Sequence, residues 1–294
     1  MMTLHAEIIS YVCSFTGPTS NIPTLANDLG LTTLTSLVAQ AGLVDTLSGP
    51  GPFTVLAPSN SAFSDVPADI LDDLLNNSTA LTEVLTYHVL PLPVRSADLS
   101  NELLVSTAEG RQLRVNTYPN GVATAQCSPI DLNRVDNEAT NGIIHVLNEV
   151  MLPPRGTIAD IVSEDPAFAS LNFAINAADL ATTLSGPGPF TLLAPTNSAF
   201  NGLDPAQLAL ILSDPVVLTQ VLTYHVVPAT LCSAGLQPGA ATTVNGDDVT
   251  VSISGAGIFV NDAQVVGADI SVTNGVVHAI DRVLIPPGLF PTAV

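Results

Sequence analysis

The sequence predicts an α+β fold written twice in tandem. Three observations carry that reading. The stretch GPGPFTVLAPSNSAF at 49–63 returns as GPGPFTLLAPTNSAF at 186–200, identical at 13 of 15 positions. Thr86-Tyr87-His88-Val89 returns 137 residues later as Thr223-Tyr224-His225-Val226, and Asn141-Gly142-Ile143-Ile144-His145 returns 133 residues later as Asn274-Gly275-Val276-Val277-His278. Within each copy, helical spacing of apolar residues fills the first half and strand-like runs fill the second. A period this long exceeds the ~20–50 residues of a solenoid repeat, so each copy is a whole domain. The net shift of four residues belongs to a loop between the second and third motifs.

The elements follow in chain order. Residues 1–20 read as a tail or remnant leader. The apolar run in MMTLHAEIISYVCSF is short, holds Glu7 and follows no Lys or Arg, which makes it a poor signal peptide. Leu34, Leu37, Val38, Ala41 and Leu47 then recur at helical spacing. Gly-Pro-Gly-Pro forces a rigid turn. Phe53 to Ala57 reads as a buried strand, Pro58 ends it, and Ser59 and Asn60 are capping residues that open a helix. Phe63 packs that first turn inward. Pro67 to Leu75 and Thr79 to His88 read as two short helices, matched in the second copy by Pro205 to Leu212 and Val216 to His225.

Strands are expected at Thr242–Val244, Val249–Ile253 and Ile258–Val260, with a last one from Val276 to Ile285 after the Asn274-Gly275 turn. Both copies close on a double proline, Pro153-Pro154 and Pro286-Pro287. The boundary therefore falls near Pro154–Arg155, giving domains at 21–154 and 155–290. A length of 294 residues suits two domains of the usual ~100–200 residues.

Composition narrows the function. The chain holds 26 acidic and 6 basic residues, a formal charge of −20, and every basic residue is Arg. A nucleic-acid partner is excluded by the missing basic footprint, and an anionic membrane surface is disfavoured for the same reason. No apolar run of about 18 residues exists, so no membrane span is expected. The C-terminus, PPGLFPTAV, lacks the apolar tail of a lipid-anchor signal. Cys13, Cys127 and Cys232 form neither a disulfide framework nor a CxxC metal pair. A Cys127–Cys232 bridge would link the halves, but the two positions are not equivalent in the repeat, so they read as free buried thiols.

Taken together, Phe-Thr-x-x-Ala-Pro-x-Asn-x-Ala-Phe, Tyr-His about 25 residues on, and Asn-Gly-x-x-His before a closing strand resemble the fasciclin (FAS1) domain, twice over. The resemblance covers nearly the whole chain. It rests on Pro58, Asn60, Phe63, Asn141, Gly142 and His145 in the first copy, and on Pro195, Asn197, Phe200, Asn274, Gly275 and His278 in the second. It implies a β-sandwich or wedge with helices along one edge. It also implies a secreted or surface-bound, non-catalytic adhesion or matrix module that binds a protein or glycan, with no cofactor.

In animal members of that family the Tyr-His region is implicated in integrin binding, which makes Tyr87, His88, Tyr224 and His225 candidate partner-binding residues. An Asp-Ile pair five residues before the Asn-Gly is a second adhesion-linked element. Asp269-Ile270 matches it, whereas the first copy has Asp136 followed by Asn137. Packing inside an apolar helix is the competing reading for the Tyr-His pairs. Some algal members carry carotenoids, so a soluble carrier of an apolar molecule, held near Pro58 or Pro195, is the alternative function. Against it stand 4% aromatic residues and no Trp.

No nucleophile elbow, zinc-protease or phosphate-loop motif is present. The histidines read as groups bonded to backbone, and no metal site is expected. Asp65, Asp69, Asp72 and Asp73 read as a solvated acidic face rather than a cation loop. Asn76-Asn77-Ser78-Thr79 holds two overlapping N-glycosylation acceptors, Asn76 and Asn77.

Overall fold

The computed structural model describes residues 17–290, so residues 1–16 of the tail expected at 1–20, with His5 and Cys13, lie outside the described residues. The first domain opens with helices α1 (Ile22–Asp28), α2 (Thr32–Gln40) and α3 (Val44–Ser48), then strand β1 (Phe53–Pro58). Helices α4 (Asn60–Ser64), α5 (Ala68–Asn76) and α6 (Ser78–Tyr87) follow, then β2 (Val89–Leu90), β3 (Leu103–Ser106), β4 (Gln112–Thr117), β5 (Ala123–Ala125), β6 (Ser128–Pro129), β7 (Asn137–Ala139) and β8 (Gly142–Leu147).

The second domain repeats the order. It has α7 (Ile158–Glu164), α8 (Ala169–Ala177), α9 (Ala181–Leu184), β9 (Phe190–Pro195), α10 (Asn197–Asn201), α11 (Pro205–Ser213) and α12 (Pro215–Tyr224). Strands β10 (Val226–Val227), β11 (Gly239–Thr242), β12 (Asp248–Ser254), β13 (Gly257–Val260), β14 (Ala263–Val272) and β15 (Gly275–Ile280) complete it. This is an α+β fold of two tandem domains.

Each domain is organised by a central parallel pair, β1 with β8 and β9 with β15. These strands read as continuous apolar runs because both of their faces are covered. Val55 and Ala57 face the helices, where they meet Leu34, Leu37, Leu81 and Leu85. Leu56 and Leu147 face the other way, against Leu113, Val115 and Ala125 of the second sheet. The first domain has two four-stranded sheets, β2-β1-β8-β7 and β3-β4-β5-β6. The second has one seven-stranded sheet, because β14 is ten residues long and pairs with both β15 and β13.

Three strand expectations change. The strand expected at Thr242–Val244 ends at Thr242, since Thr243 begins a turn closed by Thr243 Oγ1 on Asn245 and Asp247. The closing strand ends at Ile280, not at Ile285. Strand β14 was not expected: its register shifts at Val265/Gly267 and Gly267/Ile270 break the alternation that marks a strand.

The repeated motifs are hydrogen-bond devices. Asn141 accepts from Ile22 N–H at 2.9 Å and donates to the carbonyls of Leu47 and Gly49 at 2.8 and 2.9 Å. Asn274 does the same with Ile158 N–H, Leu184 and Gly186. One side chain thus ties the first helix, the end of the third and the Gly-Pro turn. A Cβ on Gly51 would stand 2.0 Å from the Asn141 carbonyl oxygen, and one on Gly188 would stand 1.9 Å from that of Asn274. Only glycine permits that approach. Asn60 accepts from Thr33 N–H and donates to Gly30 O, so it closes the start of α2 from across the fold; Asn197 does the same with Ser170 and Pro166. The true caps of α4 and α10 are Ser59 and Thr196.

Candidate functional site

The four histidines of the repeat motifs are all buried. His88 Nδ1–H donates to Val84 O at 2.7 Å, and its Nε2 accepts from Met151 N–H at 3.1 Å. His225 makes the same pair of bonds with Val221 O and Leu284 N–H. Those partners assign the neutral Nδ1–H tautomer. Burial pulls both rings down to about 4, a pull only partly offset by the bond to the helix carbonyl. His145 and His278 carry the other tautomer. Their Nδ1 accepts from the N–H of Asp136 and Asp269, and their Nε2–H donates to Val94 and Leu231 carbonyls. None of these four rings has a nitrogen left over for proton transfer or metal ligation.

Tyr87 and Tyr224 are 0% and 2% exposed. Their hydroxyls donate to Gln112 O and Asp248 O, and burial pushes the Tyr87 phenol up. The Tyr-His pairs therefore brace each domain from inside, and neither side chain meets solvent. Asp136 and Asp269 sit in the left-handed backbone region, at φ 53° and 58°. Each binds a serine through backbone N–H and hydroxyl, Ser96 and Ser233 respectively. Ile270 is half-buried against the second core. Of the acidic cluster, Asp65, Asp69, Asp72 and Asp73 are exposed.

The structure brings other residues together at the junction between the domains. Cys127 and Cys232 form a disulfide with Cα atoms 5.1 Å apart, which corrects the reading of free thiols. The two cysteines are not equivalent in the repeat because a contact between unlike surfaces joins positions that need not correspond. Here the end of β5 meets the turn after β10. Around the bridge, Tyr118 OH donates to Thr230 O and accepts from Cys232 N–H. Glu102 accepts from Thr230 through N–H and hydroxyl, and its other partner is Arg114 at 2.5 Å. Gln126 Nε2–H reaches Ser271 Oγ at 2.8 Å and Val272 O at 3.3 Å. Gly235 makes room for Tyr118: a Cβ there would lie 2.4 Å from the ring.

Beside the bridge lies a cleft of about 660 Å³ between the domains. Glu149, Glu164, Asp165 and Asp269 line it together with Ile270 and one cation, Arg155. Desolvation in the cleft, with the charges of Asp269 and Asp65, pushes the Glu149 carboxyl up. Asp269-Ile270 thus falls in the cleft, whereas the Tyr-His pairs do not. Nothing in the sequence could place the cleft, since it exists only once two domains dock. Beside Pro195 the apolar cavity holds about 10 Å³, room for about one water.

A family model described as Fasciclin domain matches residues 29–153 and 166–286. Among related proteins, transforming growth factor-beta-induced protein ig-h3 of Sus scrofa is 34% identical over 244 residues, covering 82% of this chain and 35% of that protein. Periostin of Homo sapiens is 32% identical over 258 residues, covering 87% and 30%. Protein sll1483 of Synechocystis is 38% identical over 144 residues, covering 48% and 80%. The chain thus spans about a third of the mammalian relatives' length. A solved FAS1 domain pair from the insect cell adhesion molecule Fasciclin I aligns over 90% of this chain and 99% of that one, at 17% identity and TM-score 0.44.

Proposed function

This chain belongs to the fasciclin family, and from that membership we propose that it is an extracellular, non-catalytic adhesion or matrix module. Its two domains present the junction cleft to a protein or glycan partner. The observation that carries this reading is the Cys127–Cys232 bridge, which holds the cleft before any partner arrives. A partner then meets a preorganised surface and loses less freedom on binding. The same bridge supports an oxidising, extracellular compartment, where disulfides persist.

Four carboxylates against one Arg favour a partner that brings a cationic group to the cleft. Asp269 and Ile270 are the contacts we assign from the adhesion-linked pair. Tyr87-His88 and Tyr224-His225 act through the helix ends they brace. A glycan belongs on Asn77 rather than Asn76. Asn77 spends its Oδ1 on Thr79 and Ala80 N–H, whereas Asn76 Nδ2 is already bonded to Asp72 O.

The test is cell adhesion to the immobilised protein, together with a glycan array, for wild type and Ala268→Arg. Ala268 is exposed in the cleft, so the new side chain fills it without entering a core. Adhesion or glycan binding that falls at least about tenfold, with an unchanged urea midpoint, supports the reading. Binding untouched by the substitution overturns the cleft as the site. No binding of cells or glycans by wild type overturns the adhesion role.

A further inference from the structure

The two domains carry the same helical hairpin with opposite surfaces. In α5–α6, Asp69, Asp72, Asp73 and Glu83 face a solvated side. At the matching places, 137 residues on, α11–α12 has Ala206, Ala209, Leu210 and Gln220. Neither of these two helices holds a charge. Leu210 is 56% exposed and Val216 66%, where the first domain has Asp73 and Thr79; Leu212, 42% exposed, matches Leu75 and is common to both copies. Phe173 of α8, 66% exposed, stands where the first domain has Ser36. It lies one turn before Ala177, the counterpart of Gln40, whose amide reaches the end of α5. Singly exposed apolar residues are ordinary, but a face that lacks all four of the first copy's charges and carries Phe173, Leu210 and Val216 in place of polar residues has been reshaped as a unit.

We propose that this face of the second domain docks a protein partner with an apolar centre and a basic rim, such as a basic amphipathic helix. The patch is separate from the cleft and does not depend on it. Charge selects the occupant. Asp204 and Asp214 stand at the starts of α11 and α12; each spends Oδ1 on capping backbone N–H groups, and both residues are exposed. Lys or Arg flanking an apolar stripe would meet these carboxylates while the stripe covers Leu210 and Val216. A second copy of this chain brings another net charge of −20 to the contact. An anionic membrane is repelled in the same way.

The probe is a synthetic helical peptide with leucines at i, i+3, i+4 and i+7 and lysines between them. Binding is read by fluorescence anisotropy at about 0.15 M salt. The variant Phe173→Ser, Leu210→Asp, Val216→Thr installs the first domain's own residues, so the fold tolerates them. It also adds a negative charge. Pure electrostatic attraction would therefore tighten, whereas docking on the patch weakens by at least about tenfold. The reverse graft, Ser36→Phe with Asp73→Leu and Thr79→Val, raises the stoichiometry from one peptide to two. Unchanged or tighter binding by the first variant overturns the proposal, as does a stoichiometry left at one by the graft. Patch-dependent binding to phosphatidylcholine vesicles, or a patch-dependent dimer in sedimentation, overturns it in favour of a lipid surface or a second copy.

Discussion

Asn141, His88, His145 and Tyr87 in the first domain have counterparts in Asn274, His225, His278 and Tyr224. Each pair holds its place through bonds to matching backbone groups. The hairpins α5–α6 and α11–α12, by contrast, share a backbone path and almost no surface chemistry. The contrast separates two kinds of constraint. A side chain whose polar atoms are all spent on buried backbone cannot change without orphaning those groups, at about 1–3 kcal/mol each. An exposed helix position changes stability by about 0.5 kcal/mol or less. Interiors stay alike while surfaces are free to acquire separate partners.

The junction belongs to neither copy, and removing its bridge should have the strongest consequence. Cys127 and Cys232 are 105 residues apart. Opening a loop of that length costs about 4–5 kcal/mol in the chain-entropy account. In Cys127→Ala with Cys232→Ala, a single urea transition is expected to split into two, one for each domain. A single transition at the original midpoint would mean that Glu102, Tyr118 and Gln126 hold the pair without the bridge.

With the domains uncoupled, the asparagines can be compared directly. Asn141→Ala and Asn274→Ala each remove three hydrogen bonds and leave backbone groups unpaired, a loss of about 3 kcal/mol or more. The second should cost more, since Asn274 is buried and Asn141 is only half-buried. Equal shifts in urea midpoint would show that water does not relieve the first site.

The histidines should respond to acid alike. His88 and His225 are neutral in the folded chain with pKa about 4, against about 6.5 when unfolded. Above pH ~6.5 neither state binds the proton, and their contribution is complete. As pH falls from there, the unfolded chain binds first, so stability drops until the folded rings also protonate near about 4. The limit is about 3 kcal/mol for each ring. Urea midpoints measured from about pH 7 to 4 for wild type, His88→Gln and His225→Gln isolate the effect from the carboxylates. Each variant should lose its share of the slope. A slope lost with only one variant would show that the two sites are not equivalent in solution.

Much of the interior was legible because it is local. Gly-Pro-Gly-Pro, the Ser59 cap and the Tyr-His helix ends each act within a few residues or at a fixed repeat spacing. Asn141 and Asn274 stood out by recurrence alone, since their partners lie up to 119 residues away. Strand β14 was hidden by Gly267 and its bulges. The disulfide was hidden because repeat logic compares like positions, while docking joins unlike ones. The apolar face of α11–α12 was within reach of the sequence: setting Asp73 beside Leu210 and Thr79 beside Val216 displays it.

The bridge also decides how the molecule carries load. A pull between the two ends of the chain enters the first domain before Cys127, crosses the sulfurs and leaves the second domain after Cys232. The 105-residue segment between them lies off the line of tension. At about 3.4 Å per extended residue, roughly 350 Å of chain is withheld from stretching. Strands β6 to β10, including β8 and β9, one strand from each central parallel pair, are shielded while the outer segments yield. Under tension the pair is a short, stiff link, and cutting the sulfur bridge would turn it into a long, compliant one.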